Sequence, residues 1–199
     1  NNSNDKSAIC YVQDKTNKKK HIFLSNESFD EDKLDSEFEK DKTFNKLEIE
    51  NGIIHQLPSK NRRNTIYISA PSGAGKSTLI SQYMGEYKKM HPNNNIVLFS
   101  LKVSDPVLDK HNPIRIKIDQ ELIDNPINIK DELSNAMVIM DDIDSMDSKD
   151  PIYKILKILQ QTCLEVGRSY QITCVNSSHI LMDNRKTKSL LNESEDIII

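Results

Sequence analysis

The spacing of apolar residues changes character near residue 65. Downstream, short continuous apolar runs alternate with longer stretches of helical period. Thr65-Ile66-Tyr67-Ile68-Ser69, the run 96–99 and Ala136-Met137-Val138-Ile139-Met140 read as strands buried on both faces. Ile114-Arg115-Ile116-Lys117-Ile118 alternates and predicts a further strand, as do the runs 171–176 and 197–199. Between them, Leu79, Ile80, Tyr83, Met84 and Tyr87 recur at helical spacing over 77–90, and Pro92 ends that helix. Pro151 suits the first turn of a second helix running to about Gly167, with Ile152, Ile155, Leu156, Leu159 and Cys163 on one face. Residues 119–135 predict one or two short helical turns. Strand–helix alternation of this kind predicts an α/β fold: a mostly parallel central sheet covered by helices, in three α/β/α layers.

The first 57 residues follow a different rhythm. The β-prone runs 8–13 and 21–24 flank a polar stretch and predict a hairpin. Residues 26–45 carry mixed charge with sparse Phe29, Leu34, Phe38 and Phe44, as in a solvated helix or a linker. Asn51-Gly52 between Leu47-Glu48-Ile49 and Ile53-Ile54 predicts a second hairpin. The division expected is therefore 1–57, small N-terminal β-hairpins with a charged linker, and 58–199, the α/β domain.

Composition narrows the picture modestly. Of the 199 residues, 36% are hydrophobic and 29% charged, with no apolar run long enough to span a membrane. The start, Asn1-Asn2-Ser3-Asn4-Asp5, has no signal-peptide pattern and no Met, so a cytoplasmic chain or a piece of a longer one is expected. Three cysteines (Cys10, Cys163, Cys174) without paired spacing argue for free thiols rather than a disulfide framework or a zinc site. A net charge of −3 means that any contact with nucleic acid must come from local patches or from a multimer. Candidate patches are Lys18-Lys19-Lys20, Lys60 with Arg62-Arg63, and Arg185-Lys186 with Lys188.

The chemistry concentrates in two places. Ala70-Pro71-Ser72-Gly73-Ala74-Gly75-Lys76-Ser77-Thr78 fits the phosphate-loop pattern G-x-x-x-x-G-K-[ST], with Ala70 where the first Gly usually stands. A predicted strand precedes it and a predicted helix follows. Gly73 and Gly75 permit the backbone angles and close approach that a phosphate cradle needs. Lys76 would place its ammonium on the terminal phosphates of ATP, and the Ser77 hydroxyl would ligate Mg²⁺. The second place is the apolar strand ending in Asp141-Asp142. At the carboxyl end of a parallel strand, Asp141 would hold Mg²⁺ through water, and Asp142 would polarise the attacking water as general base. Asp144, Asp147 and Asp150 read as turn and helix-cap residues.

The strand after the acidic one ends in Asn176-Ser177-Ser178-His179. Asn176 or Ser177 is the candidate for a hydrogen bond to the terminal phosphate, while His179 reads as a structural histidine. Arg168, following Gly167, and Arg185, in the loop after this strand, are candidates for an arginine inserted into a neighbouring subunit's site, with Arg115 a weaker one.

In this order, the loop 65–77, the acidic strand 138–142, Gly167-Arg168, Ser177-Ser178-His179 and Thr187-Lys188-Ser189-Leu190-Leu191-Asn192-Glu193 resemble the genome-packaging ATPases of large DNA viruses. These are the poxvirus-type members of the FtsK/HerA-like P-loop NTPase superfamily. The resemblance covers about residues 58–199. It implies a homo-oligomeric ring that hydrolyses ATP to move double-stranded DNA into a capsid, in the host cytoplasm or as a virion component. Three positions depart from the family pattern: Ala70 for Gly, Ser169 for the usual His after the Gly-Arg pair, and Asp142 for the frequent Glu. Two other functions fit parts of the sequence. The loop also resembles that of guanylate kinases, and a non-hydrolysing, nucleotide-dependent scaffold is the third reading.

Overall fold

The structure, a computed structural model, describes residues 8–13, 19–23, 58, 63–183 and 186–199. The chain forms two compact units, Asn1–Ile54 and His55–Ile199. In the first, β1 (Ala8–Gln13) pairs antiparallel with β2 (Lys19–Phe23), Tyr11 opposite His21. This is the hairpin the two β-prone runs predict, although β2 begins two residues earlier than the run 21–24. The charged segment 26–45 and the hairpin expected over 47–57 lie outside the described residues.

The second unit is an α/β layer structure. In chain order it contains β3 (Thr65–Ser69), α1 (Lys76–Met90), β4 (Ile96–Ser100), α2 (Pro106–Asp109), β5 (Ile114–Ile116), α3 (Gln120–Asp124), α4 (Ile129–Glu132), β6 (Met137–Asp141), α5 (Pro151–Val166), β7 (Thr173–Ser178), α6 (Lys188–Glu193) and β8 (Asp196–Ile198). Six strands form one sheet in the order β5-β4-β6-β7-β3-β8, every pairing parallel. The strand β7 therefore lies between β3 and β6.

Strand alternation divides the core in two. Ile66, Ile68, Ile96, Leu98, Met137, Ile139 and Val175 point to one face, where Ile80, Tyr83, Met84 and Tyr87 of α1 cover them. Tyr67, Val97, Phe99, Val138, Met140 and Cys174 point to the other, against Leu156, Leu159, Cys163 and Leu164 of α5. Each such side chain, moved from water into the core, contributes roughly 1.5–3 kcal/mol. That is why the continuous apolar runs, rather than alternating ones, mark these strands. Cys163 and Cys174 are free and buried, as their spacing implied.

Both ends of α5 are fixed by side chains. At its start the Asp150 carboxylate accepts from the backbone N–H of Ile152 at 2.8 Å, the capping role the sequence assigned to it. At its end Arg63 donates to the carbonyls of Cys163 (2.9 Å) and Leu164 (2.7 Å). A cation there complements the helix dipole. Gly167 leaves the room, since a Cβ on it would stand 2.6 Å from Arg63 Nη1. Arg63 is thus committed to capping, not to the basic patch expected of Arg62-Arg63. Lys60 and Arg62 lie outside the described residues.

Candidate functional site

The parallel register brings four strand ends to one edge. Across it, Ser100 of β4 pairs with Asp141 of β6, and Asp141 with Ser177 of β7. These three residues share the α1 face of the sheet. Asp141, only 2% exposed, accepts hydrogen bonds from Ser177 Oγ at 2.7 Å and Ser100 Oγ at 3.1 Å. Two hydroxyls therefore hold a buried carboxylate that would otherwise be costly to desolvate.

The loop after β3 is open to solvent from Pro71 to Gly75, and Thr78 is exposed as well. Gly73 (φ 79°) and Gly75 (φ 95°) occupy the left-handed region. No neighbouring atom stands where a Cβ would be at either one. Backbone angle, not space, therefore demands glycine at both positions. Ala70 keeps a negative φ, which removes any need for glycine there. Gly75 is also the N-cap of α1 and has no side chain with which to cap it. The first-turn amides of a 15-residue helix consequently face outward without a side-chain partner, an arrangement suited to an anion.

Lys76 opens the helix and is buried, its ammonium turned back over the loop. Nζ donates to the Ala70 carbonyl at 2.8 Å, lies 2.9 Å from His179 Nδ1, and stands 3.9 Å from Asp142 Oδ1. His179 Nε2 is in turn 2.9 Å from Asp142 Oδ2. Lysine, histidine and aspartate thus form a closed cluster at the C-terminal edge of β3, β6 and β7. Asp142 is fixed from its backbone: φ is 53°, and its N–H reaches both the Ser177 carbonyl (3.1 Å) and Ser177 Oγ (3.2 Å). Burial, followed by the neighbouring Asp141 charge, raises the Asp142 pKa above the usual carboxylate value, while Lys76, His179 and Lys102 oppose the shift.

Ser77 donates its hydroxyl to Asp105 Oδ2 at 3.2 Å. With the proton so committed, its oxygen lone pairs remain available for a cation. Among the described residues no group of three or more His, Cys, Asp or Glu could by itself enclose a metal. Magnesium does not require such a cage; one or two protein oxygens beside phosphates and waters suffice. Ser77 and Asp141, hard oxygen donors on the same sheet face, fit that chemistry.

Several expectations need revision. Asn176 is not beside Lys76. The strand continues to Ser178, pairing with Ser69, so Asn176 lies inside it on the α5 face, where its Oδ1 accepts from Gln160 Nε2 at 2.8 Å. Ser177 is the member of that pair that reaches the site. Arg168 sits in the 3₁₀ turn Gly167–Tyr170 leading into β7. That is the opposite edge of the sheet, roughly 20 Å away for a strand of this length. Arg115 is paired with Asp109 and also donates to the Lys102 carbonyl at 2.9 Å. Arg185 lies outside the described residues. Asp144 does lie in a turn, the 3₁₀ segment Ile143–Ser145, but it is 3% exposed and paired with Lys157 at 3.3 Å rather than a solvated loop acid.

Three further residues at the site carry little or no local signal. The apolar run of β4 stops at Phe99, so nothing in it marks Ser100. Asp105 shows a capping signature, Asp before Pro106, and it does cap α2. Its reach to Ser77 is tertiary and has no local signal. His179, which the sequence reads as a structural histidine, has both ring nitrogens partnered, by Lys76 and Asp142, and no local signal identifies those partners.

No protein-family model matches the chain. Uncharacterized protein V3 of Sputnik virophage is 34% identical over 164 residues, covering 80% of this chain. The chain spans 64% of that protein's length. Among solved structures, a chain of the E. coli MS115-1 HORMA:CdnC:Trip13 complex aligns with a TM-score of 0.41 at 11% identity, covering 69% of this chain and 48% of that one.

Proposed function

We propose that this chain is a P-loop NTPase that binds ATP with Mg²⁺ and hydrolyses it, and that turnover drives double-stranded DNA into a viral capsid. One observation carries the ATPase reading: the Lys76 ammonium, folded over an uncapped glycine loop, stands 3.9 Å from the carboxylate of Asp142. A lysine donating to the loop's own Ala70 carbonyl is positioned to turn those donors onto phosphate oxygens. The amides of residues 73–77 cradle the phosphates, and Pro71, Ser72 and Thr78 complete the loop. Ser77 and Asp141 would hold the metal, which when bound neutralises phosphate charge. Asp142 supplies the carboxylate on which the proton transfer of hydrolysis depends.

DNA translocation would be the work that this turnover drives. That reading is supported by the order of elements shared with viral packaging ATPases and by a relative encoded in a virophage. In such a ring Arg168, at the far edge of its own sheet, would act only on a nucleotide held by another copy. No helix among the described residues is long and apolar enough to cross a membrane.

The test is ATP turnover by the wild type, Lys76→Ala and Asp142→Asn, each with and without duplex DNA. The expected outcome is DNA-stimulated hydrolysis in the wild type, loss of nucleotide binding in Lys76→Ala, and binding without turnover in Asp142→Asn. Phosphoryl transfer to a nucleoside monophosphate would instead identify a kinase. Binding with no turnover by the wild type would identify a scaffold.

A further inference from the structure

The Asp142 carboxylate has a geometric difficulty as the group that touches water. Its Oδ1 is sealed from solvent and accepts no hydrogen bond, and its Oδ2 is occupied by His179 Nε2 at 2.9 Å. The Asp142 side chain is 17% exposed, whereas that of His179 is 41% exposed. The donor inventory then fixes the imidazole. An ammonium can only donate, so Nδ1, 2.9 Å from Lys76 Nζ, is the accepting nitrogen. Nε2 consequently carries the hydrogen and donates it to Asp142. The backbone on either side of His179 is tethered as well. Ile180 N donates to Ser178 Oγ at 3.0 Å, and the Tyr67 hydroxyl donates to the Ile180 carbonyl.

From this arrangement we infer that His179 is a catalytic residue, the base that takes the proton of the attacking water, with Asp142 orienting it from behind. The inference rests on the ATPase reading above and deepens it. Lys76 Nζ occupies the Nδ1 lone pair in this structure. When the ammonium turns to the terminal phosphate, Nδ1 is released on the side where that phosphate lies. A water held there forms its bond to the terminal phosphorus as the bond from phosphorus to the bridging oxygen of ADP breaks. The water's O–H electrons stay on oxygen, and its proton passes to Nδ1. The resulting imidazolium is stabilised by the Asp142 carboxylate across Nε2–H, then gives the proton to phosphate or solvent. ATP and water are the only reactants consumed. Charged and titratable groups facing the imidazole are Lys76 from α1 and Asp142 from the β6 end, with no other ion pair to it among the described residues.

The experiment measures ATP turnover and nucleotide affinity of the full chain as wild type, His179→Ala and His179→Gln, with and without added imidazole. Glutamine can still donate to Asp142 and accept from Lys76 but cannot take a proton. The prediction is a fall in turnover of about 100-fold or more in both variants. Nucleotide affinity should stay within about threefold, which also verifies folding. Imidazole should restore part of the activity to His179→Ala only. Near wild-type turnover in His179→Gln would overturn the inference by making His179 a mere spacer. Unimpaired turnover in His179→Ala would overturn it outright, as would a loss that imidazole does not relieve. Each of these outcomes leaves the ATPase reading standing, whereas absence of turnover in the wild type removes both.

Discussion

At the residue scale the site consists of polar groups kept buried by specific partners. Asp141 illustrates the cost. It sits at the end of an apolar strand, where Ser177 and Ser100 donate to separate oxygens. Removing one donor leaves a buried carboxylate short of a hydrogen bond, which costs about 1–3 kcal/mol. Ser177→Ala should therefore lower the unfolding free energy from urea titration by about 1–3 kcal/mol, seen as a lower midpoint. It should also weaken turnover, since the same hydroxyl accepts from the Asp142 amide. An unchanged midpoint would mean that Asp141 finds another donor. The glycines were legible from the sequence because their requirement is local: a positive φ at Gly73 and Gly75. His179 was not, because nothing in its neighbours along the chain reveals that Lys76 and Asp142 meet on either side of its ring.

At the element scale, the strand ends decide which side chains enter the site. Apolar content located every strand of the six-stranded sheet, and the ends of β3 and β6, but not the last residues of the other four. β4 and β7 both extend beyond their apolar runs into serines, because ladder hydrogen bonds do not depend on side-chain polarity. The alternation along β7 sets Asn176 on the far face and keeps Ser177 at the site, and the extra residue of β4 adds Ser100. The short helix α2 shows a second route by which an element serves the site. Its N-cap, Asp105, is pushed upward by burial, yet the Val107 amide, the Lys102 ammonium and the Leu108 amide outweigh that and leave its pKa below the ordinary value. A carboxylate whose folded pKa is depressed stabilises the protein above the unfolded value, near 4, and loses that contribution as pH falls through the folded one. Asp105→Asn keeps a capping side chain but no charge. Wild type should thus exceed Asp105→Asn in stability by on the order of 1 kcal/mol at neutral pH. The two should converge below about pH 4, as followed by thermal unfolding. A gap that persists in acid would assign the difference to shape rather than charge.

At the scale of the whole molecule, an all-parallel sheet with two covered faces collects the carboxyl ends of its strands on one edge, and the glycine loop opens on that same edge. This much follows from alternating strands and helices, since parallel strands need crossovers and those crossovers cover both faces. What local pattern could not supply is the strand order, which sets β7 between β3 and β6 and so puts His179 beside both Lys76 and Asp142. The most direct measurement is a structure of the full chain determined with Mg²⁺ and a non-hydrolysable ATP analogue. The expected result is the triphosphate on the amides of residues 73–77, its terminal phosphate bonded to Lys76 Nζ in place of His179, and the metal against Ser77. A nucleotide bound elsewhere on the protein, with Lys76 still bonded to Ala70 and His179, would contradict it.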